Sequence, residues 1–320
     1  MTLRVQSIAI AMAALAVSLA APTAAQEDEK ADNTNLTSET VAVANGRWIA
    51  DFGEDNCTLA RRFQSGDDPY LLAIEQWKPG SDFDLRVAGP SFSRFSVETP
   101  STLRFNDKLY LEGLQTGKAP MEKYGTMVAF SNVSLTKEAR EFVSPPETDG
   151  SSRLAAVVPT PPPPIEDQRA LNVETGKTIT AFALGQGDQK IVLQTGDLGQ
   201  AFKVLNQCTA DLVRSWGFDF DQALTRKPNL INPAKVARRV VDNYPTAALR
   251  NEEQGEVRLR LIIEANGKVS DCIAVMNNPS EVLQKGACKQ MRRAKFKPAL
   301  DEKAQPVRHY YLTELTYQLY

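Results

Sequence analysis

Over the first two thirds of the chain, apolar and polar positions alternate in short runs. LLAIEQW (71–77) is an apolar run bounded by Asp68-Pro69 and Pro79-Gly80. In FDLRVAG (83–89) Phe83, Leu85 and Val87 alternate with polar positions, and TLRFND, KLYLEG and GTMVAFSNVSL continue the pattern. Runs this short with turn residues between them predict antiparallel β structure from residue 45 to about 143. TITAFAL (178–184) and KIVLQTG (190–196) predict a further strand pair around Gly185-Gln186-Gly187. A helix follows. Asp197 and Gln200 stand at capping-box spacing, Leu198, Phe202, Leu205, Leu212 and Trp216 share one stripe with Cys208, and Gly217 supplies a left-handed stop. Residues 45–220 are therefore expected to form one β-rich domain closed by a helix.

The last quarter has a sharper pattern. Pro245 suits the first turn of a short helix, where its missing N–H costs nothing. From Gly255, EVRLRLIIE places Val257, Leu259, Leu261 and Ile263 on one face and Glu256, Arg258, Arg260 and Glu264 on the other. That period of two predicts a half-buried strand whose charged face meets solvent. Asn266-Gly267 predicts a tight hairpin with both residues at positive φ, and KVSDCIAV returns. Asn278-Pro279-Ser280 ends the strand and caps a helix, in which Leu283, Ala287, Met291 and Ala294 line one stripe. Phe296-Lys297-Pro298 stops that helix, and VRHYYLTELTYQLY is the final strand. The order helix, strand, strand, helix, strand predicts a two-layer α/β unit with a three-stranded antiparallel sheet. The fold class is α+β, with the β-rich domain first.

Composition adds the setting. The 320 residues carry 37 basic and 39 acidic side chains, a formal charge of -2, which argues against nucleic acid as a partner. Residues 1–25 resemble a secretory signal peptide: Arg4, an apolar run over 8–21 shorter than a bilayer span, and a small-residue site ending at Ala25. Residues 26–44 are polar and acidic, expected as a disordered lead. The proline-rich stretch 144–166 is expected as a long surface loop, and 221–240 as a linker. Export gives the cysteines an oxidising compartment. Four cysteines allow three pairings, and the one that respects the domains joins Cys57 to Cys208 and Cys272 to Cys288.

The C-terminal order and residues resemble the TonB C-terminal domain family. Carrying the resemblance over 241–320 are Tyr244-Pro245, Gly255-Glu256-Val257, Asn266-Gly267-Lys268-Val269, Leu283, Ala287 and the segment from Arg293 to Pro298, with Phe296 and Pro298 at its end. The two C-terminal cysteines resemble a subset of that family with one in the second strand and one in the second helix. The resemblance implies a non-enzymatic periplasmic protein that binds outer-membrane transporters, or another envelope protein, by adding a partner strand to a sheet edge. It places the last strand at that edge, so His309, Tyr311, Thr313, Leu315 and Tyr317 are the expected partner-binding residues. It implies no cofactor and no metal. Membrane contact is expected only through the partner or an uncleaved signal, and a homodimer is compatible with it. An anchored energy transducer is the alternative. The four-proline run 161–164 spans only about 12 Å as polyproline, and the N-terminal segment lacks a histidine, both departures from such a transducer.

Other motifs carry less. The basic run Lys289, Arg292, Arg293, Lys295 and Lys297 fits the negative end of a helix dipole. Asp51, Glu54, Asp55, Asp219 and Asp221 read as solvated turns. No G-x-S-x-G, phosphate-cradling glycine loop or H-E-x-x-H occurs, and His309 is the single histidine. An envelope enzyme in residues 45–220 would need a concave pocket with converging acids.

Overall fold

The chain is seen in a computed structural model that describes residues 38–106, 108–135, 154–157 (backbone only), 170–275 and 280–319. The signal-like segment, the lead up to residue 37, the proline run, and Asn278-Pro279 lie outside the described residues. Among those described, no helix is long and apolar enough to cross a membrane.

The N-terminal half is built on one eleven-stranded sheet. Its strands are β1 (Ser38–Ala44), β2 (Ile49–Phe52), β3 (Cys57–Ser65), β4 (Asp68–Gln76), β5 (Asp82–Gly89), β6 (Ser101–Arg104), β7 (Tyr110–Leu114), β8 (Gly117–Met121) and β9 (Gly125–Ser134). After β10 (Leu154–Val157), which belongs to another sheet, come α1 (Val173–Thr178), β11 (Phe182–Gln186) and β12 (Gln189–Gln194). The order is β7-β6-β11-β12-β1-β3-β4-β5-β9-β8, with β2 also on β3. Order begins earlier than expected: Ser38–Ala44 is no lead but a strand that pairs parallel with β12. The β11–β12 turn falls at Gly187-Asp188, overlapping the expected turn at Gly187 but leaving Gly185 and Gln186 in the strand, because Gln186 pairs Gln189.

Helix α2 (Gly199–Ser215) packs Phe202, Leu205 and Leu212 into a core with Phe63, Leu72, Leu85 and Phe182. Its N-cap is Leu198, so Asp197 stands one residue too early for a capping box. The Asp197 carboxylate still accepts the Gly199 N–H at 2.6 Å. Gly217 adopts φ +83° past the end of the helix. A disulfide ties Cys208 on α2 to Cys57 on β3, as the domain argument requires.

The C-terminal half adds β13 (Leu224–Arg226), β14 (Asn229–Leu230), α3 (Pro233–Asp242), α4 (Thr246–Arg250), β15 (Gly255–Ile263), β16 (Val269–Val275) and α5 (Glu281–Met291). It ends with β17 (Phe296–Lys297), β18 (Ala299–Asp301), β19 (Pro306–Val307) and β20 (His309–Leu319). The predicted order of helix, strand, strand, helix, strand is present, with β20, β15 and β16 antiparallel. Ser280 caps α5, its hydroxyl accepting the Leu283 N–H. Cys272 on β16 is bonded to Cys288 on α5.

Three expectations for this half need correction. Residues 221–240 do more than link: α3 turns Val236 and Val240 into the same core as Leu259, Leu283 and Leu315. α3 reads as polar because its buried stripe is narrow, Val236 and Val240 alone. The hairpin turn is a three-residue loop over Ala265–Gly267, closed by Gly267 N–H to Glu264 O at 2.8 Å, and only Gly267 has positive φ (+78°). Gly267 is doubly required, since a Cβ there would lie 2.1 Å from the Phe296 carbonyl oxygen. Finally, the middle of the charged face of β15 does not meet solvent. Arg258 and Arg260 are 8 % and 9 % exposed, because the N-terminal half covers them.

Candidate functional site

β20 lies against β15 over nine positions, from Gly255 opposite Tyr317 to Ile263 opposite His309. Of its odd-numbered side chains, Tyr311, Leu315, Tyr317 and Leu319 join the cluster that holds Leu283 and Met291 of α5. Leu315 and Tyr317 are buried in the core. Tyr311 packs edge-on to Phe296, with ring centroids 4.8 Å apart. Tyr317 meets Tyr244 in the same way at 5.0 Å. Burial pushes the Tyr311 and Tyr317 hydroxyls above the ordinary tyrosine range. Thr313 is buried, and His309, also buried, stacks on Tyr310 and meets Phe218 edge-on.

The even-numbered side chains turn the other way, onto the N-terminal half. Tyr310 packs on Trp216 and Phe218, each at 5.4 Å, beside Ile262 and Val213. Glu314 accepts from Asn132 at 3.0 Å and pairs with Arg258 at 3.1 Å. Both faces of β20 are thus covered. The expectation that His309, Tyr311, Thr313, Leu315 and Tyr317 read a partner with alternate side chains meets a physical obstacle: these side chains support the strand from within. What β20 offers is its outer main-chain edge.

That edge is partly taken. The sheet runs β10-β20-β15-β16, four strands where three were expected. β10 pairs antiparallel with the last residues of β20, from Leu154 opposite Leu319 to Val157 opposite Thr316. Tyr317 therefore has a neighbour on each side. Over His309–Leu315, no described strand lies on the outer side. The apolar run Leu154–Val157, inside a stretch otherwise marked by prolines, was the available sequence signal for this strand.

The residues of the family motif hold the edge in place. Pro245 packs against α5 at Gly286, where a Cβ would lie 2.7 Å from the proline ring. Tyr244 donates its hydroxyl proton to Glu253 O at 2.5 Å. Gly255 opens β15 at φ +142°. The Phe296 N–H reaches Gly267 O at 3.0 Å, and Pro298 O accepts from Arg226 Nε and Nη2.

Behind β20 sits a buried charge cluster. Arg258 pairs with Asp84 of β5 and with Glu256 and Glu314, and lies 5.3 Å over the Trp77 ring. Burial, the largest single influence, lowers its pKa, but the hydrogen bond and charge of Asp84 with the charges of Glu314 and Glu256 together outweigh it and raise the pKa. Arg260 lies 4.5 Å over Trp216 and pairs with Asp55 at 3.3 Å. Asp55, expected in a solvated turn, is thus part of the junction. Asp221 pairs with Arg214, and Asp219 accepts the Asp221 N–H. Burial, and then the neighbouring Glu314 carboxylate, push Glu256 up to about 7.

The consequence for stability follows from linkage. The folded protein holds the Glu256 proton after the unfolded chain has released it. The stabilisation is complete below the unfolded value of 4.5 and is lost as pH rises through about 7. The slope is at most about 1.4 kcal/mol per pH unit, and the 32 % exposure of Glu256 reduces it. Glu75, raised by burial, acts in the same direction. The urea midpoint is expected to fall as pH rises from about 5 to 7, and Glu256→Gln to flatten that fall. A dependence unchanged by the substitution would refute the assignment.

Among the described residues, no group of three or more His, Cys, Asp or Glu is placed to hold a metal ion. The acids Glu75, Asp82 and Asp84 line one concavity with Trp77 and Asn132, which has no room for a ligand-sized molecule. Each acid is engaged by a cation: Arg86, Lys78 and Arg258 respectively. Lys289, Arg292, Arg293, Lys295 and Lys297 are exposed around the end of α5, where Arg292 reaches Cys272 O at 3.3 Å.

A helix layer over an antiparallel sheet defines the C-terminal half as a two-layer α/β unit. Residues 241–319 match the family model described as Gram-negative bacterial TonB protein C-terminal, in agreement with the resemblance read from the sequence. The match covers about a quarter of the chain. That domain is a non-enzymatic interaction module, and it associates the chain with the cell envelope and its transport interactions. Comparison with curated proteins and with solved structures gives no match.

Proposed function

We propose that the protein is a non-enzymatic periplasmic adaptor that binds an outer-membrane transporter, or another envelope protein, by strand addition along β20. The observation that carries this reading is the β10–β20 ladder: the outer edge of β20 already accepts an extended segment in regular antiparallel register. Unpaired N–H and C=O groups along an edge are a template for a further strand, with main-chain bonds supplying affinity. With the alternate side chains of β20 buried, selectivity falls to the rim of the edge.

Removing the chain from Val307 onward would test this poorly, since β20 carries Leu315 and Tyr317 into the core. A photo-crosslinking residue at Leu312, on the part of β20 beyond the β10 ladder, is the better probe, with one at Asp271 on β16, the opposite edge strand of the described sheet, as control. In envelope extract, the Leu312 form is expected to capture a partner through one short extended segment. Equal capture from Asp271 would sink the proposal.

A further inference from the structure

The contact between the two halves of the chain has two unlike ends. Where the chain leaves α2, Trp216, Phe218 and Val213 pack on Ile262 and Tyr310. Arg260 lies over Trp216 there, and Arg308 lies 5.1 Å over Phe218. This end is aromatic and stands beside the covalent passage from α2 to β13. At the other end, Asp84 of β5 meets Arg258 of β15, and Asn132 of β9 meets Glu314 of β20. Arg258 and Ile262 are four residues apart on β15, which separates the two ends by about 13 Å.

The backbone is bent to build the charged end. Phe83 stands opposite Val133 and Leu85 opposite Phe130, so Ser131 and Asn132 both stand against the single residue Asp84. That is a β-bulge, and Asn132 takes φ +56° in it, a left-handed conformation that asparagine tolerates better than most residues. Its N–H donates to Asp84 Oδ1 at 3.1 Å, and its side-chain amide donates to Glu314 Oε2 at 3.0 Å. One bulged residue thus holds a carboxylate from each half. The charges around it do not balance. Among the described residues, Glu75, Asp82, Asp84, Glu256 and Glu314 supply five carboxyl groups, and Lys78, Arg86 and Arg258 supply three cations. Glu256 and Glu314 are hydrogen-bonded to each other, which needs a proton on one of them.

We infer that this end is a proton-operated clasp: when Glu256 ionises, the contact of Asp84 and Asn132 with Arg258 and Glu314 parts about the aromatic end and bares the second face of the β15–β20 sheet. With the clasp closed, burial and then the Glu314 carboxylate push Glu256 up to about 7, against the pull of Arg258. With it open, Glu256 is solvated and returns toward the ordinary 4.5. The closed form is therefore favoured fully below about 4.5 and loses ground as pH rises to about 7, by at most about tenfold in the closed-to-open ratio per pH unit. Above about 7 neither form carries the proton and the ratio is level. The 32 % exposure of Glu256 makes the change smaller than this bound. Glu75, raised by burial and flanked by Arg86, Asp84 and Arg258, acts in the same direction.

The test uses the full chain carrying fluorotryptophan and a soluble gadolinium chelate, which broadens the fluorine signals that solvent reaches. Trp77, 3 % exposed beneath the Arg258 guanidinium, reports the clasp. Trp216 reports the aromatic end, and Trp48, beside Arg61, is the control. From about pH 5 to 7 the broadening at Trp77 is expected to rise several-fold while Trp216 and Trp48 hold steady. Glu256→Gln is expected to keep Trp77 shielded throughout. Glu314→Gln removes the like-charge neighbour and keeps a hydrogen-bonding side chain, so it should reduce the rise. This second variant decides if the first does not fold. Slow amide exchange along β15 in the same samples shows opening without unfolding.

Trp77 shielding that ignores pH overturns the clasp even where the urea midpoint moves, since the proton then acts on stability alone. Exposure of Trp77 and Trp216 together also overturns it, because the halves then part without a pivot. So does a rise at Trp77 that neither glutamine substitution diminishes.

Discussion

Arg258→Leu is expected to lower stability by about 3–5 kcal/mol, the largest effect of any single side chain at the junction. Asp84 is itself buried, and Glu256 and Glu314 stand beside the same guanidinium. Removing the cation leaves three carboxylates facing one another with no compensating charge and strips the cover from Trp77. The magnitude belongs to the broken pair and not to the pair's net worth, because burying both charges is itself costly. Asp84→Asn in the Arg258→Leu background should recover part of the loss, a coupling that a double-mutant cycle reads directly. Arg260→Leu is the comparison: its partner Asp55 is 38 % exposed, so the loss there should be smaller. An unfolding free energy from urea titration for Arg258→Leu within about 0.5 kcal/mol of wild type would show that the cluster does not hold the halves together.

The two disulfides are expected to differ in weight. Cys57 and Cys208 are 151 residues apart, and Cys272 and Cys288 only 16. If a cross-link acts mainly by restricting the unfolded chain, replacing the first pair by alanine costs up to about 5 kcal/mol and the second about 3 kcal/mol. Both bonds lie in cores, so serine would add a desolvation penalty and alanine is the cleaner substitution. Calorimetry of the two double variants decides the ranking. If loss of the shorter cross-link lowers the melting temperature more, the stabilisation comes from local packing of β16 on α5 and not from chain entropy.

Much of this fold is written in side-chain period and turn chemistry. Val257, Leu259, Leu261 and Ile263 announce β15, Ser280 announces the start of α5, and the division into two halves pairs the cysteines correctly. What escaped notice shares a cause. Alternation along β15 shows that Glu256, Arg258 and Arg260 oppose the apolar face, but not that Asp84, Asp55, Trp77 and Trp216 arrive from over a hundred residues away to cover it. Period cannot register a partner supplied by another part of the chain. The same holds for β10: Leu154–Val157 is too short to stand out among prolines, and its strand character comes from the edge it meets. The last strand was chosen as the candidate site from the family resemblance alone, and the burial of its side chains was not legible, because the exposure of Tyr311 or Thr313 depends on which layers close over β20.

The covering of the β15–β20 sheet on its second side bears on any attempt at dissection. Cutting the chain before residue 241 would strip Ile262 and Tyr310 of Trp216, Phe218 and Val213, and Arg258 of Asp84. Such a fragment would carry a freshly bared greasy plane bordered by orphaned guanidinium groups, and it would relieve both by sticking to a copy of itself. Self-association of the excised piece is therefore a property of the cut surface, and stoichiometry should be measured on the intact polypeptide.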